Sequence, residues 1–222
     1  MDASLEPKER HGWFLRHCHP LVVGLLWPLM FVLGPIRVIG RYRVPKSGGL
    51  LILSNHLADM DPVVIWYASR RPIHFMAKSE LFEMHILGRL IRLFKAFPVK
   101  RGEPDRQAIK HAVRLLKAGE CVAVFPEGQL SEDGRLQPIL PGVGLIAKMA
   151  GVPILCCGLE GTQRMMPYGT TVPRPAFGGV QVNWGEVKQF SREVEIEDIA
   201  AWTESQLRML TGQERILGDP NG

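Results

Sequence analysis

Leu50-Leu51-Ile52-Leu53-Ser54-Asn55-His56-Leu57-Ala58-Asp59-Met60-Asp61-Pro62 is the stretch on which the reading of this chain turns. Four aliphatic residues in a row, preceded by Gly48-Gly49, read as a strand buried on both faces. Pro62 pre-sets φ for a first helical turn, so a helix over residues 62–69 is expected to follow. The turn between strand and helix carries His56 and Asp61. If it is tight, the Asp61 carboxylate can hold one imidazole nitrogen and leave the other free to take a proton from a hydroxyl. That is a base and its orienting carboxylate without a protein nucleophile, which suits direct attack by a substrate hydroxyl on an activated acyl group. The same residues also fit a plain surface turn, with Asp59 or Asp61 capping the helix and His56 solvated.

Downstream, short apolar runs alternate with helical patterns. Strands are expected at residues 73–77, 97–99, 121–125, 154–159 and 180–184. Leu81, Ile86, Leu87, Leu90, Ile91 and Phe94 recur at helical spacing, interleaved with Arg89, Arg92 and Lys95. Asp105 opens a helix over Arg106–Lys117 that Gly119 ends, and further helices are expected at Gly142–Ala150 and Ile196–Leu210. The alternation predicts an α/β fold with a mostly parallel central sheet flanked by helices. In such sheets the loops leaving the carboxyl ends of strands build the ligand site. Three polar clusters stand in such loops: Asn55-His56 with Asp61, Lys100-Arg101, and Glu127-Gly128.

The formal net charge of +5 favours anionic partners, phosphorylated small molecules or an acidic membrane surface. Basic patches interleaved with aromatics are missing, which argues against nucleic acid. Cys18, Cys121, Cys156 and Cys157 do not form a disulfide framework, and a reducing, cytoplasmic setting follows. His17-Cys18-His19 has no second ligand pair at matching spacing, so no metal site is expected.

Residues 20–36 carry no charge and lie between Arg16 and Arg37. Pro28, Gly34 and Pro35 interrupt the run, which is short for a bilayer span. Trp13, Phe14 and Trp27, with Arg37, Arg41 and Arg43 after them, look like interfacial anchors. A helical hairpin lying in one leaflet is expected ahead of a single short span or a core helix. The predicted organisation is therefore a membrane-associated helical segment over residues 1–43 and one α/β domain over 44–222, on the cytoplasmic face of a membrane.

Arg101, behind an apolar strand end, is placed to bind a phosphate through its guanidinium fork, with Lys100 and Lys78 adding charge. A solvated basic surface is the other reading of Lys100. Glu127 sits in a Pro-Glu-Gly turn whose glycine permits a backbone shape other residues resist. Its carboxylate could accept hydrogen bonds from substrate hydroxyls, brace a basic side chain, or simply belong to the turn.

Taken in order, these residues resemble the phospholipid/glycerol acyltransferase family, over the stretch from Ile39-Gly40 to about Gly161. The first block, N-H-x-x-x-x-D, is met in full by Asn55, His56 and Asp61. Lys78-Ser79-Glu80-Leu81 through Gly88 looks like the linker into the second block, which here reads Phe97-Pro98-Val99-Lys100-Arg101-Gly102. The third block, F-P-E-G-T-R-S, is partly met by Phe125-Pro126-Glu127-Gly128 and Ser131, and the fourth, V-P-I-x-P, by Val152-Pro153-Ile154. Gln129 and Leu130 replace the threonine and arginine of the third block, Lys95 stands where a glycine often opens the second, and Cys156 replaces the last proline of the fourth.

The resemblance implies an enzyme of phospholipid synthesis. It moves a fatty acyl chain from a thioester donor, acyl-coenzyme A or acyl carrier protein, to the free hydroxyl of a lysophospholipid, in the first place 1-acyl-glycerol-3-phosphate. His56 and Asp61 would be catalytic, and Asn55, Lys78, Lys100, Arg101, Glu127 and Gly128 would bind substrate, with no cofactor beyond the co-substrate. The family's third-block arginine is associated with the acceptor phosphate. Its loss at Leu130 leaves room for a different lyso-lipid head group, with Arg135 as a candidate substitute, or for a non-catalytic lipid-binding homologue.

Overall fold

The structure, a computed structural model, describes residues 9–100, 105–170, 172–191 and 193–213. Strand β2 (Leu50–Ser54) lies at the centre of a seven-stranded sheet and all of its residues are buried. It is flanked in parallel by β5 (Cys121–Val124) and β6 (Ile154–Glu160). Beyond β5 come β3 (His74–Lys78) and then β4 (Ala96–Val99), both parallel to it. On the other side β7 (Val180–Lys188) runs antiparallel to β6, and β1 (Ile36–Ile39) forms the edge, parallel to β7. Five strands therefore point one way and an edge pair the other. The mostly parallel α/β sheet expected from the alternation is present.

The reversed pair was not foreseen. A parallel return needs an element long enough to cross and cover the sheet. Between β6 and β7 the helix α6 (Thr162–Met165) has only four residues, and the chain comes back antiparallel. Strand β1 lies on the N-terminal side of the expected boundary at residues 43/44 and is hydrogen-bonded into the sheet.

Period-two alternation along β2 divides the core in two. Leu50 and Ile52 meet the layer made by α1 (Glu9–Leu33) and α2 (Asp61–Ala68), through Met30, Leu33, Val64, Ile65 and Trp66. Leu51 and Leu53 meet α4 (Arg106–Lys117), α5 (Gly142–Ala150) and α7 (Ile196–Leu210) on the opposite face. Asp105 caps α4 by accepting the N–H groups of Gln107 and Ala108, each at 3.0 Å. The amphipathic α3 (His85–Leu93) joins β3 to β4. Lys95, just after it, is a non-glycine residue at φ 60°, in the left-handed region. Its side chain offsets some of that cost by lying against Glu120, Nζ to Oε2 3.7 Å.

The N-terminal hairpin is corrected. Residues 9–33 form one unbroken helix that runs through Pro20 and Pro28. The prolines remove interior hydrogen bonds without reversing the chain, because packing of the inner face onto α2 holds the helix together. Buried His19 donates from Nε2 to Trp66 O (3.2 Å) and lies against the Trp66 ring. The outer face presents Leu21, Leu25, Trp27, Leu29, Phe31 and Val32 exposed. Among the described residues no helix is long and apolar enough to cross a membrane.

Candidate active site

The carboxyl ends of β2, β5, β3 and β4 lie along one edge of the sheet, and the loops that leave them meet there. At the exit of β2 the chain turns sharply and brings His56 Nδ1 within 2.8 Å of Asp61 Oδ2. The same oxygen accepts the N–H groups of Leu57 (2.6 Å) and Ala58 (2.9 Å), so the carboxylate at the head of α2 folds its own loop. Asp61 is fully buried, its Oδ1 without a hydrogen bond among the described residues. The plain-turn reading with a solvated histidine does not hold: His56 is 4% exposed. Its ring stacks on Phe125 with centroids 3.8 Å apart and planes 12° from parallel, and Phe125 stacks in turn on Phe75.

The loop after β5 grips the histidine backbone. Glu127 Oε1 accepts the His56 N–H (2.8 Å), and the His56 carbonyl accepts the Ser131 N–H (2.8 Å). Glu127 Oε2 accepts the Gln137 N–H at 2.7 Å. Burial pushes the Glu127 carboxyl up, while the two backbone donors pull it back. Gly128 holds φ 73°, so the turn needs glycine for its conformation, and a Cβ there would also push the Leu140 side chain aside.

Beside the histidine opens an apolar cavity of about 220 Å³. Val99, Val124, Leu140, Val143 and Ile146 form its walls, and His56, Lys100 and Gly128 also line it. The arrangement offers a buried imidazole, held at one nitrogen by a carboxylate, at the wall of a greasy slot.

Of the residues expected to bind substrate, Lys100 and Gly128 line this cavity. Three depart from the expectation. Both Glu127 oxygens accept backbone N–H groups, so its carboxylate braces the two loops. Asn55 is spent on the backbone of Leu159, donating to its carbonyl (3.0 Å) and accepting its N–H (2.7 Å), which ties β2 to β6. Lys78 points to the surface and pairs with Glu80 (3.4 Å), outside the cavity lining. Arg101 lies outside the described residues. Arg135 is also at the surface, 3.9 Å from Asp133 Oδ2. Phe125 was passed over in the sequence because an aromatic at the end of a buried run reads as core. Its place directly before the Pro126-Glu127-Gly128 turn was the available signal.

With this geometry in hand, the comparisons with known proteins are specific. The chain is 33% identical over 130 residues to 1-acyl-sn-glycerol-3-phosphate acyltransferase of Bacillus subtilis, covering 58% of this chain and 64% of that protein. It is 30% identical over 189 residues to the protein of the same name from Streptococcus pneumoniae, covering 84% of this chain and 64% of that one. In both cases the match spans just under two thirds of the relative's own length. The crystal structure of the 1-acyl-sn-glycerophosphate acyltransferase PlsC from Thermotoga maritima has the same fold, with a TM-score of 0.71 at 23% identity over 91% of this chain and 83% of that one. The family model described as Acyltransferase matches residues 35–160, from β1 to the end of β6, and so includes the His56–Asp61 turn and the Glu127 loop. By that match the chain belongs to the acyltransferase family.

Proposed function

We propose that this protein transfers a fatty acyl chain from a thioester donor, acyl-coenzyme A or acyl carrier protein, to the free hydroxyl of 1-acyl-glycerol-3-phosphate. The observation that carries the reading is the 2.8 Å contact between His56 Nδ1 and Asp61 Oδ2 beside an apolar cavity. Asp61 fixes the tautomer that carries its proton on Nδ1, leaving Nε2 basic. Nε2 takes the acceptor's hydroxyl proton as the oxygen attacks the thioester carbonyl. The tetrahedral intermediate then collapses, the C–S bond breaks, and the imidazolium returns the proton to the departing thiolate. Positioned base catalysis of this kind contributes about 10²–10⁴-fold. Holding both substrates together supplies much of the rest. The cavity accommodates the donor's acyl chain, and Lys100, with Arg101 next to it, attracts the acceptor phosphate.

The uncharged outer face of α1 between Leu21 and Val32 rests in the lipid interface on the cytoplasmic side, where a lysolipid acceptor is found. The deciding assay follows release of free thiol when purified protein meets an acyl thioester and 1-acyl-glycerol-3-phosphate. Transfer is expected with the parent protein and is lost in His56→Ala. A parent protein that consumes no thioester rules the reading out. One observation favours a second acceptor class: Leu130 occupies the position of the family's third-block arginine. A panel of lysolipids with different head groups ranks the two.

A further inference from the structure

The loop between α6 and β7 carries exposed apolar residues that the reaction does not use: Tyr168 (55% exposed), Val172 (73%) and Phe177 (87%). Phe177 stands at the tip of a turn closed by Gly178 and Gly179, both at positive φ, with the Gly179 N–H bonded to Ala176 O at 2.9 Å. A phenylalanine that far out of the core costs solvation and gains nothing in the isolated fold. The turn is built onto the end of α1. Ala176 N–H donates to Leu33 O (2.6 Å), Val180 N–H donates to Pro35 O (3.0 Å), and a Cβ on Gly34 would sit 3.2 Å from the Ala176 Cβ. The exposed Leu29, Phe31 and Val32 belong to the last turns of α1, whose end at Leu33 is bonded to the Phe177 turn. Residues 161–180 include Arg164 and Arg174 and no acidic residue, and the Glu132 carboxylate reaches this loop at Tyr168, away from the Phe177 turn.

We infer that the Phe177 turn is a second lipid contact, which inserts into an anionic bilayer surface beside the end of α1. This rests on the proposed interfacial role of α1 and adds a separate point of attachment to it. The turn enters β7 at Val180, next to the carboxyl end of β6, on the sheet edge that carries His56. One contact would leave the protein free to roll about the helix axis. Two contacts fix its rotation with the site edge toward the lipid.

The test measures partition of the full chain onto vesicles of equimolar phosphatidylglycerol and phosphatidylcholine by co-sedimentation. Phe177→Ser is expected to weaken partition about tenfold or more, with an unchanged melting temperature, and Phe177→Leu to retain most of it. Phe177→Trp is expected to gain fluorescence that brominated acyl chains quench beyond the quenching in the parent. Partition of Phe177→Ser equal to the parent, or no added quenching in Phe177→Trp, overturns the inference. If Leu25→Glu weakens partition while Phe177→Ser does not, the role of α1 stands and the turn's does not. A parent protein that fails to partition removes both.

Discussion

Glu127, 71 positions along the chain from His56, accepts that residue's backbone N–H at 2.8 Å inside the protein. The carboxylate therefore acts on His56 through its main chain. In Glu127→Gln one buried N–H must face an amide NH2 group instead of an oxygen. An unsatisfied buried donor costs about 1–3 kcal/mol. We expect a melting temperature several degrees lower and a reduced kcat, with a smaller effect on the Michaelis constants. A variant that melts and turns over like the parent would show that the clamp is dispensable.

His56→Ala is expected to lower turnover by about 10²–10⁴-fold. The fold should persist, because the Asp61 carboxylate keeps its bonds to Leu57 and Ala58. Near-ultraviolet circular dichroism tests the fold, and thiol release tests the turnover. Normal acyl transfer by the variant would refute the base assignment.

The cavity wall offers a handle on chain length. Ile146 lines it from α5, and tryptophan there removes part of its volume. Ile146→Trp should cut kcat/KM for long acyl thioesters at least tenfold while sparing short ones. An equal loss at every chain length would place the acyl group elsewhere.

Arg101→Ala is expected to raise the Michaelis constant for a phosphorylated acceptor, with kcat little changed. A fall in kcat alone would argue against a phosphate-binding role for this side chain.

Acid should weaken the fold through its buried histidines. Burial lowers His74, His111 and His19 below the usual 6.5, and Arg114 adds to the effect at His111. At His74 the Glu120 carboxylate partly opposes the shift and Lys95 reinforces it. Each of these groups binds its proton more readily in the unfolded chain. Their stabilising contribution is complete above pH 6.5 and is lost as the pH falls toward the folded-state values. Denaturant midpoints measured between pH 7.5 and 5 should decline, and more shallowly in His74→Gln. A steeper decline in that variant would reverse the assignment.

The sequence exposed those parts of the molecule where one local cause dominates. The Asp105 cap and the terminal Gly119 bound α4 from its own residues, and the aliphatic run of β2 could only be buried. The His56–Asp61 turn was legible because five residues and a following proline leave few closures. Long-range partners were not legible. Glu127 and Asn55 read as ligand-binding groups, yet they satisfy backbone atoms 71 and 104 positions away. No local pattern reports which N–H a carboxylate will meet. Strand β1 was missed because four residues with alternating half-buried and exposed positions look like a trailing edge of the apolar run before them. Lys95 was visible as a departure from glycine, but its reason, a left-handed backbone angle, appears only in three dimensions.

The loop after β5 is pinned on both sides of positions 129 and 130. Glu127 holds the amide of His56 from one side and Ser131 holds its carbonyl from the other, while Gln129 is exposed and Leu130 half-buried between them. Substitutions at those two sites can therefore alter the loop between the two anchors without breaking either bond that holds the His56 backbone. A span insulated in this way is free to vary while the histidine beneath it stays in place.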